Sequence, residues 1–214
     1  MRTHWGRAAM AVVAIAAAVS APTGGAAQAV AKSAAAASGA KYTAADVQFM
    51  QGMIHHHAQA VIMAAMAPSH GAGKQLSVFC RKVMVSQRDE ILLMQTWLKD
   101  HGETVPSPST APAHNMAGMN MPMEDHTVMM PGMLSAEQMA TLEKARGVDF
   151  DRYFLTYMIQ HHEGALTMVA TLFNAPGAGQ TPEVFGFASG VDADQRGEIE
   201  RMQQMLATLS RSKH

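Results

Sequence analysis

The stretch Met53-Ile54-His55-His56-His57-Ala58-Gln59-Ala60, with Met63 beyond it, returns in altered form as Met158-Ile159-Gln160-His161-His162-Glu163-Gly164-Ala165, with Met168 beyond it. The offset is a constant 105 residues, and Asp46 and Phe49 match Asp151 and Phe154 at the same offset. Downstream of each copy a second pattern repeats, now offset by 108: Gln87, Arg88, Glu90, Ile91 and Met94 against Gln195, Arg196, Glu198, Ile199 and Met202. Both patterns have helical spacing, with no sustained strand-like alternation. A helical hairpin present twice can bury its apolar stripes against its own copy. The expected fold is therefore all-α, an antiparallel four-helix bundle.

Helix signals divide the chain accordingly. Thr43 followed by Asp46 resembles a capping box that opens the first helix, and Pro68 must end it. The second is predicted over Lys74 to Asp100, with Gly102 as its stop. Ser135 and Gln138 open a short helix to Arg146, Gly147 breaks or bends the chain, and a third long helix follows from Val148 to Phe173. Thr181-Pro182 starts the fourth, to about Ser210. Residues 42–101 thus form the first hairpin, 102–133 a linker and 134–210 the second hairpin.

At about 100° per residue, Asp46, Phe49, Met50, Met53, His56, His57, Ala60 and Met63 share one side of the first helix. Asp151, Phe154, Met158, His161, His162, Ala165 and Met168 share the equivalent side of the third. Gln87, Glu90 and Met94 lie on the apolar face of the second helix, as Gln195, Glu198 and Met202 do on that of the fourth. Burying such polar groups is costly unless something satisfies them. One account is a hydrogen-bonded network in which Glu90 and Glu198 hold the four histidines and fix helix register. The other is metal ligation, favoured by two His pairs at matching positions with Met on both sides. Neutral imidazole is a common metal ligand, and Glu90 and Glu198 would then orient the rings.

The chain has 214 residues, of which 48% are hydrophobic and 15% charged. Arg2 and Arg7, an apolar run from Ala8 to Val19 and small residues through Ala29 follow the order of a secretory signal peptide. The run is too short for the roughly 20 residues of a spanning helix. Residues 1–29 are accordingly expected to direct export to the periplasm or the exterior and to be removed, leaving no membrane segment. Residues 30–41 read as a disordered leader. A single Cys excludes a disulfide framework and a Cys-based zinc or iron–sulfur site within one chain. With 16 Lys+Arg against 17 Asp+Glu, the basic excess expected of a nucleic-acid-binding protein is missing.

Twenty methionines are the opposite extreme. The linker is punctuated by Pro106, Pro108, Pro112, Pro122 and Pro131, so it is no regular helix. It carries Met116, Met119, Met121, Met123, Met129, Met130 and Met133, with His114 and His126 among them. Methionine in a helix stripe is usually core filler, but a Pro-rich polar loop has little core to fill; the alternative is an apolar flap over the bundle. A thioether is soft and needs no deprotonation, which suits Cu(I). Ag(I) is a natural surrogate, while the histidines add sites for Cu(II). Met116, Met119, Met121, Met123 and His126 are the linker's candidate ligands.

Together the two His-bearing stretches and the two Gln-x-x-Glu-Ile-x-x-Met stretches resemble the domain-of-unknown-function family 305, over residues 42 to 210. The resemblance implies an exported, ferritin-like four-helix protein that binds copper and supports copper resistance. It also implies that Met53, His56, His57 and Met63, and Met158, His161, His162 and Met168, are the first ligand candidates. Ala58-Gln59 against Glu163-Gly164 shows that the two copies differ just after the His pair.

The expected function is copper binding without turnover, with copper sequestered or handed on to other periplasmic copper-handling proteins. Two alternatives stand beside it. A di-metal carboxylate oxidase on the same bundle needs Glu-x-x-His on paired helices, and no Glu here is followed by His three residues later. A structural or partner-binding helical module explains the helices and leaves the linker methionines without a role.

Overall fold

In the computed structural model, residues 42–108 and 130–211 are described. The proposed signal peptide, the leader and linker candidates Met116, Met119, Met121, Met123 and His126 lie outside them. Five helices follow in order: α1 (Ala44–Ala65), α2 (Lys74–Asp100), α3 (Ala136–Lys144), α4 (Gly147–Asn174) and α5 (Pro182–Arg211). The expected all-helical bundle is what forms. α1 packs on α2 and α4 on α5, the two hairpins meet along α1 and α4, and α3 lies on α4.

The starts follow from local chemistry. Thr43 and Asp46 form the reciprocal capping box of α1, and Ser135 and Gln138 form that of α3. Gly147 has φ +57° and donates its N–H to the His70 carbonyl at 2.8 Å. This left-handed residue, which a side chain would strain, turns the chain from α3 into α4 and ties that corner to the α1–α2 loop.

The repeated aspartates lock the hairpins to each other. Asp151 on α4 accepts from the Gly73 N–H at the start of α2, 3.1 Å from each carboxylate oxygen. α2 has no side-chain cap of its own, so the other half of the molecule supplies it. Reciprocally, Asp46 on α1 accepts from the Gly179 N–H in the α4–α5 loop at 2.7 Å. Each copy of one sequence feature therefore closes the loop of the other copy.

The apolar core has two layers. One gathers Met63, Phe79, Val83, Phe154, Met158 and Met202; the other gathers Phe49, Met53, Ile91, Met94, Ala165 and Val169, with Met168 packed against it. Met53 and Met63 on α1 thus belong to opposite layers, and so, in reverse order, do Met158 and Met168 on α4. The two helices therefore run antiparallel. Ala60, Ala64 and Ala165 are fully buried, and their small side chains let the helices lie close. Between the layers sits a polar belt.

Candidate metal centre

The belt consists of His56, His57, His161 and His162, none more than 1% exposed. Adjacent positions on α1 and on α4 put two rings from each helix at one level, and the antiparallel packing brings the pairs together. His56 and His161 lie against each other, ring centroids 3.8 Å apart and planes tilted by 38°. His57 and His162 flank them, with centroids 6.4 and 6.3 Å from His56 and His161 respectively.

Each outer histidine is held from a second helix. His57 Nε2 lies 2.5 Å from Glu90 Oε2 on α2, and His162 Nε2 lies 2.7 Å from Glu198 Oε2 on α5. His56 Nε2 lies 3.0 Å from the Pro131 carbonyl oxygen. Carbonyl and carboxylate oxygens accept only, so in all three rings Nε2 carries a hydrogen, and in a neutral ring Nδ1 is the nitrogen with the lone pair. Among the described residues, Nδ1 of His56, His57 and His162 has no hydrogen-bond partner, and neither nitrogen of His161 makes a hydrogen bond of ordinary geometry. A buried polar atom left unpaired costs about 1–3 kcal/mol. Several such atoms at one level make the belt an unfavourable place for imidazoles alone and a favourable one for a cation.

Electrostatics push the same way. Burial, and then the charge His57 would carry, lower the His56 pKa to about 3, with the Pro131 carbonyl opposing. His161 is held well below its ordinary value by burial, then by His56, His162 and His57, with the His56 carbonyl opposing. Both inner rings are neutral at physiological pH, and their lone pairs meet a cation with no proton to displace.

Further candidates line the belt. Met53, Met63, Met158, Met94 and Met202 are fully buried in the layers above and below it, while Met168 is half-buried. The two copies contribute crosswise: Met53 and Met94 share a layer with Met168, and Met63 shares one with Met158 and Met202. Gln87 and Gln195, each 2% exposed, sit one turn before the two glutamates. Among the described residues, both polar atoms of Gln87 and Oε1 of Gln195 have no partner. Among the described residues, no three His, Cys, Asp or Glu side chains are placed to hold a metal ion between them. Thioether and amide groups are the donors the described residues offer there beside imidazole.

A strap running from residue 130 to 134 crosses the groove between α1 and α4, so the end of the linker packs over the bundle as the flap alternative has it, with contacts that the spacing did not specify. Gln59 on α1 grips it twice, donating from Nε2 to the Leu134 carbonyl at 3.2 Å and accepting the Leu134 N–H at 2.7 Å. Gly164 on α4 lies under it, and a Cβ there would fall on the Pro131 carbonyl. Gly132, with φ +76°, is pressed equally closely, since its Cβ would meet the Gln160 carbonyl oxygen at 2.6 Å. The divergence of Gln59 from Gly164, visible in the repeat, was the signal: one copy supplies the grip and the other the space. The strap's Pro131 carbonyl orients His56, and His161 has no counterpart.

The family model described as a domain of unknown function, DUF305, matches residues 46–206. Among solved structures, the chain is similar to a DUF305 fragment from Deinococcus radiodurans, at 30% identity and a TM-score of 0.62, over 78% of this chain and 98% of that one. It is similar to a DUF305 protein from Streptomyces coelicolor at 25% identity and a TM-score of 0.62, over 78% and 94% of the two chains. It also resembles CopM in its Cu(II)-bound form, at 26% identity and a TM-score of 0.58, over 76% and 96%. For CopM in its Cu(I)-bound form the values are 25%, 0.56, 78% and 98%. No curated protein sequence matches the chain.

Proposed function

This chain belongs to the DUF305 family, and from that premise we propose that it is an exported copper-binding protein that sequesters copper or hands it on. Cu(I) is the favoured ion and Cu(II) is accommodated. The observation that carries this reading is the belt: four buried histidines, three of them held through Nε2 with Nδ1 unpaired among the described residues, between layers of buried methionine. Imidazole nitrogen and thioether sulfur together suit copper in both oxidation states better than a hard ion, which prefers carboxylate and carbonyl oxygen. CopM, a structural relative, has been crystallised with Cu(II) and with Cu(I).

In this reading Met53, His56, His57, Met63, Met158, His161, His162 and Met168 supply the ligands. Glu90 and Glu198 hold the outer rings, and Met116, Met119, Met121, Met123 and His126 gather ions in the linker. Residues 1–29 direct export, to the periplasm or outside the cell. In keeping with that, no described helix is long and apolar enough to cross a membrane. The protein acts by binding rather than by turnover, passing copper to other copper-handling proteins.

Competition of the purified mature chain against a coloured Cu(I) chelator tests the proposal. Withdrawal of copper from the chelator is the expected result; failure to withdraw it from even a weak chelator overturns the reading. X-ray absorption on the copper-loaded protein then counts sulfur against nitrogen neighbours.

A further inference from the structure

The strap brings one methionine to a place where the repeat pattern has no ligand. A Cβ built at Gly52 would lie 3.6 Å from Met130 Sδ and 3.4 Å from Met168 Cε. The side-chain ends of two methionines from distant parts of the chain, the Met130 sulfur and the Met168 methyl, therefore lie over the same glycine of α1. The equivalent position in the second copy is Tyr157, so this close approach belongs to one half only. Both methionines are half-buried, as is Gly52, whereas Met53, Met63 and Met158 are sealed in the core.

The surroundings connect this pair to the belt. Gly52 stands one turn before His56 on α1, and Met168 one turn after Gly164 on α4. The strap spans both: Pro131 bonds His56 and presses on Gly164, while its neighbour Met130 lies over Gly52, as Met168 does. One turn back from Gly164, His161 presents two unpaired nitrogens against the His56 ring. The two methionines thus stand one to two turns from the inner imidazoles along α1 and α4. Because Gln59 pins Leu134, the backbone beside Met130 is held in place rather than searching for its partner.

Resting on the copper-binding reading above, we propose that Met130 and Met168 form a separate rim site for a soft monovalent cation, through which Cu(I) passes between solvent and the His56–His161 pair. Two neutral sulfurs bind such an ion weakly enough to release it and reject hard dications. The deeper site, with imidazole added, holds it more firmly.

The probe is Ag(I), a diamagnetic stand-in for Cu(I), added to mature protein labelled with 13C at the methionine methyls. Met130→Leu and Met168→Leu assign the two resonances and retain the apolar volume. The expected result is that both signals shift together in the wild type, and that either substitution abolishes the shift of the remaining partner. Met130→Leu/Met168→Leu should also lower the sulfur count in X-ray absorption and slow Cu(I) loading severalfold. Independent shifts, or an unchanged sulfur count and loading rate in the double variant, overturn the rim site. If the wild type takes up neither Ag(I) nor Cu(I), the copper reading itself has failed.

Discussion

Gly164→Ala puts the strap to the sharpest test, because one methyl group is asked to enter space already filled by backbone. The new Cβ would overlap the Pro131 carbonyl and come within 2.5 Å of the Gly132 Cα, and no flexible side chain is there to yield. The strap must lift, and with it go the bond from His56 to Pro131 and the two bonds between Gln59 and Leu134. At about 1 kcal/mol net each, these are worth about 3 kcal/mol. Replacing glycine by alanine within a helix returns about 1 kcal/mol, leaving a loss of about 2 kcal/mol. For a chain of this size, that corresponds to a fall in Tm of about 4–8 °C. Gly52→Ala is the control: its Cβ would meet only the ends of Met168 and Met130, at 3.4 and 3.6 Å, so the helix gain should dominate and Tm should hold or rise. Thermal unfolding of both metal-free variants, followed by far-ultraviolet circular dichroism, gives the comparison. A Gly164→Ala protein as stable as the wild type would refute the account of the strap.

Three further outcomes follow from the geometry. Asp46→Ala should cost more stability than Asp151→Ala, by about 1–2 kcal/mol, because Asp46 caps its own helix as well as holding Gly179; urea midpoints of the two variants decide it. Glu90→Gln keeps an acceptor for His57 but removes its charge, so the fold should persist while copper affinity drops about 10–100-fold; an unchanged affinity in chelator competition would leave Glu90 a purely structural partner. Metal-free protein should lose stability as pH falls below about 6.5, the ordinary histidine value. There the unfolded chain takes up protons that His56, with a folded pKa of about 3, and His161 refuse. The slope contributed by each ring approaches about 1.4 kcal/mol per pH unit, and urea midpoints that stay level from pH 7 to pH 5 would contradict it.

Much of the architecture was legible in the residues because duplication and helical periodicity are local properties. Thr43 with Asp46 and Ser135 with Gln138 announce helix starts through bonds that span only three positions. The 105-residue offset places equivalent side chains on equivalent faces whatever the packing. The same logic located the four belt histidines, since an imidazole pair on an apolar stripe can only point inward.

What one residue does to another far along the chain was a different matter. Asp46 and Asp151 read as members of a buried face, yet their work is to close each other's hairpins, which depends on the antiparallel meeting of α1 and α4. That same meeting decides that Met53 shares a layer with Met168 rather than with Met63. Sequence by itself determined the helices, their inward faces and the residue types suited to a soft metal, because those follow from spacing and side-chain chemistry. Only the tertiary structure decided which histidines meet, which nitrogens are left bare, and that residues 130–134 fold back to bind His56 and lay Met130 over Gly52. Such contacts join segments tens of residues apart, and no periodicity in the chain records which carbonyl will reach which ring.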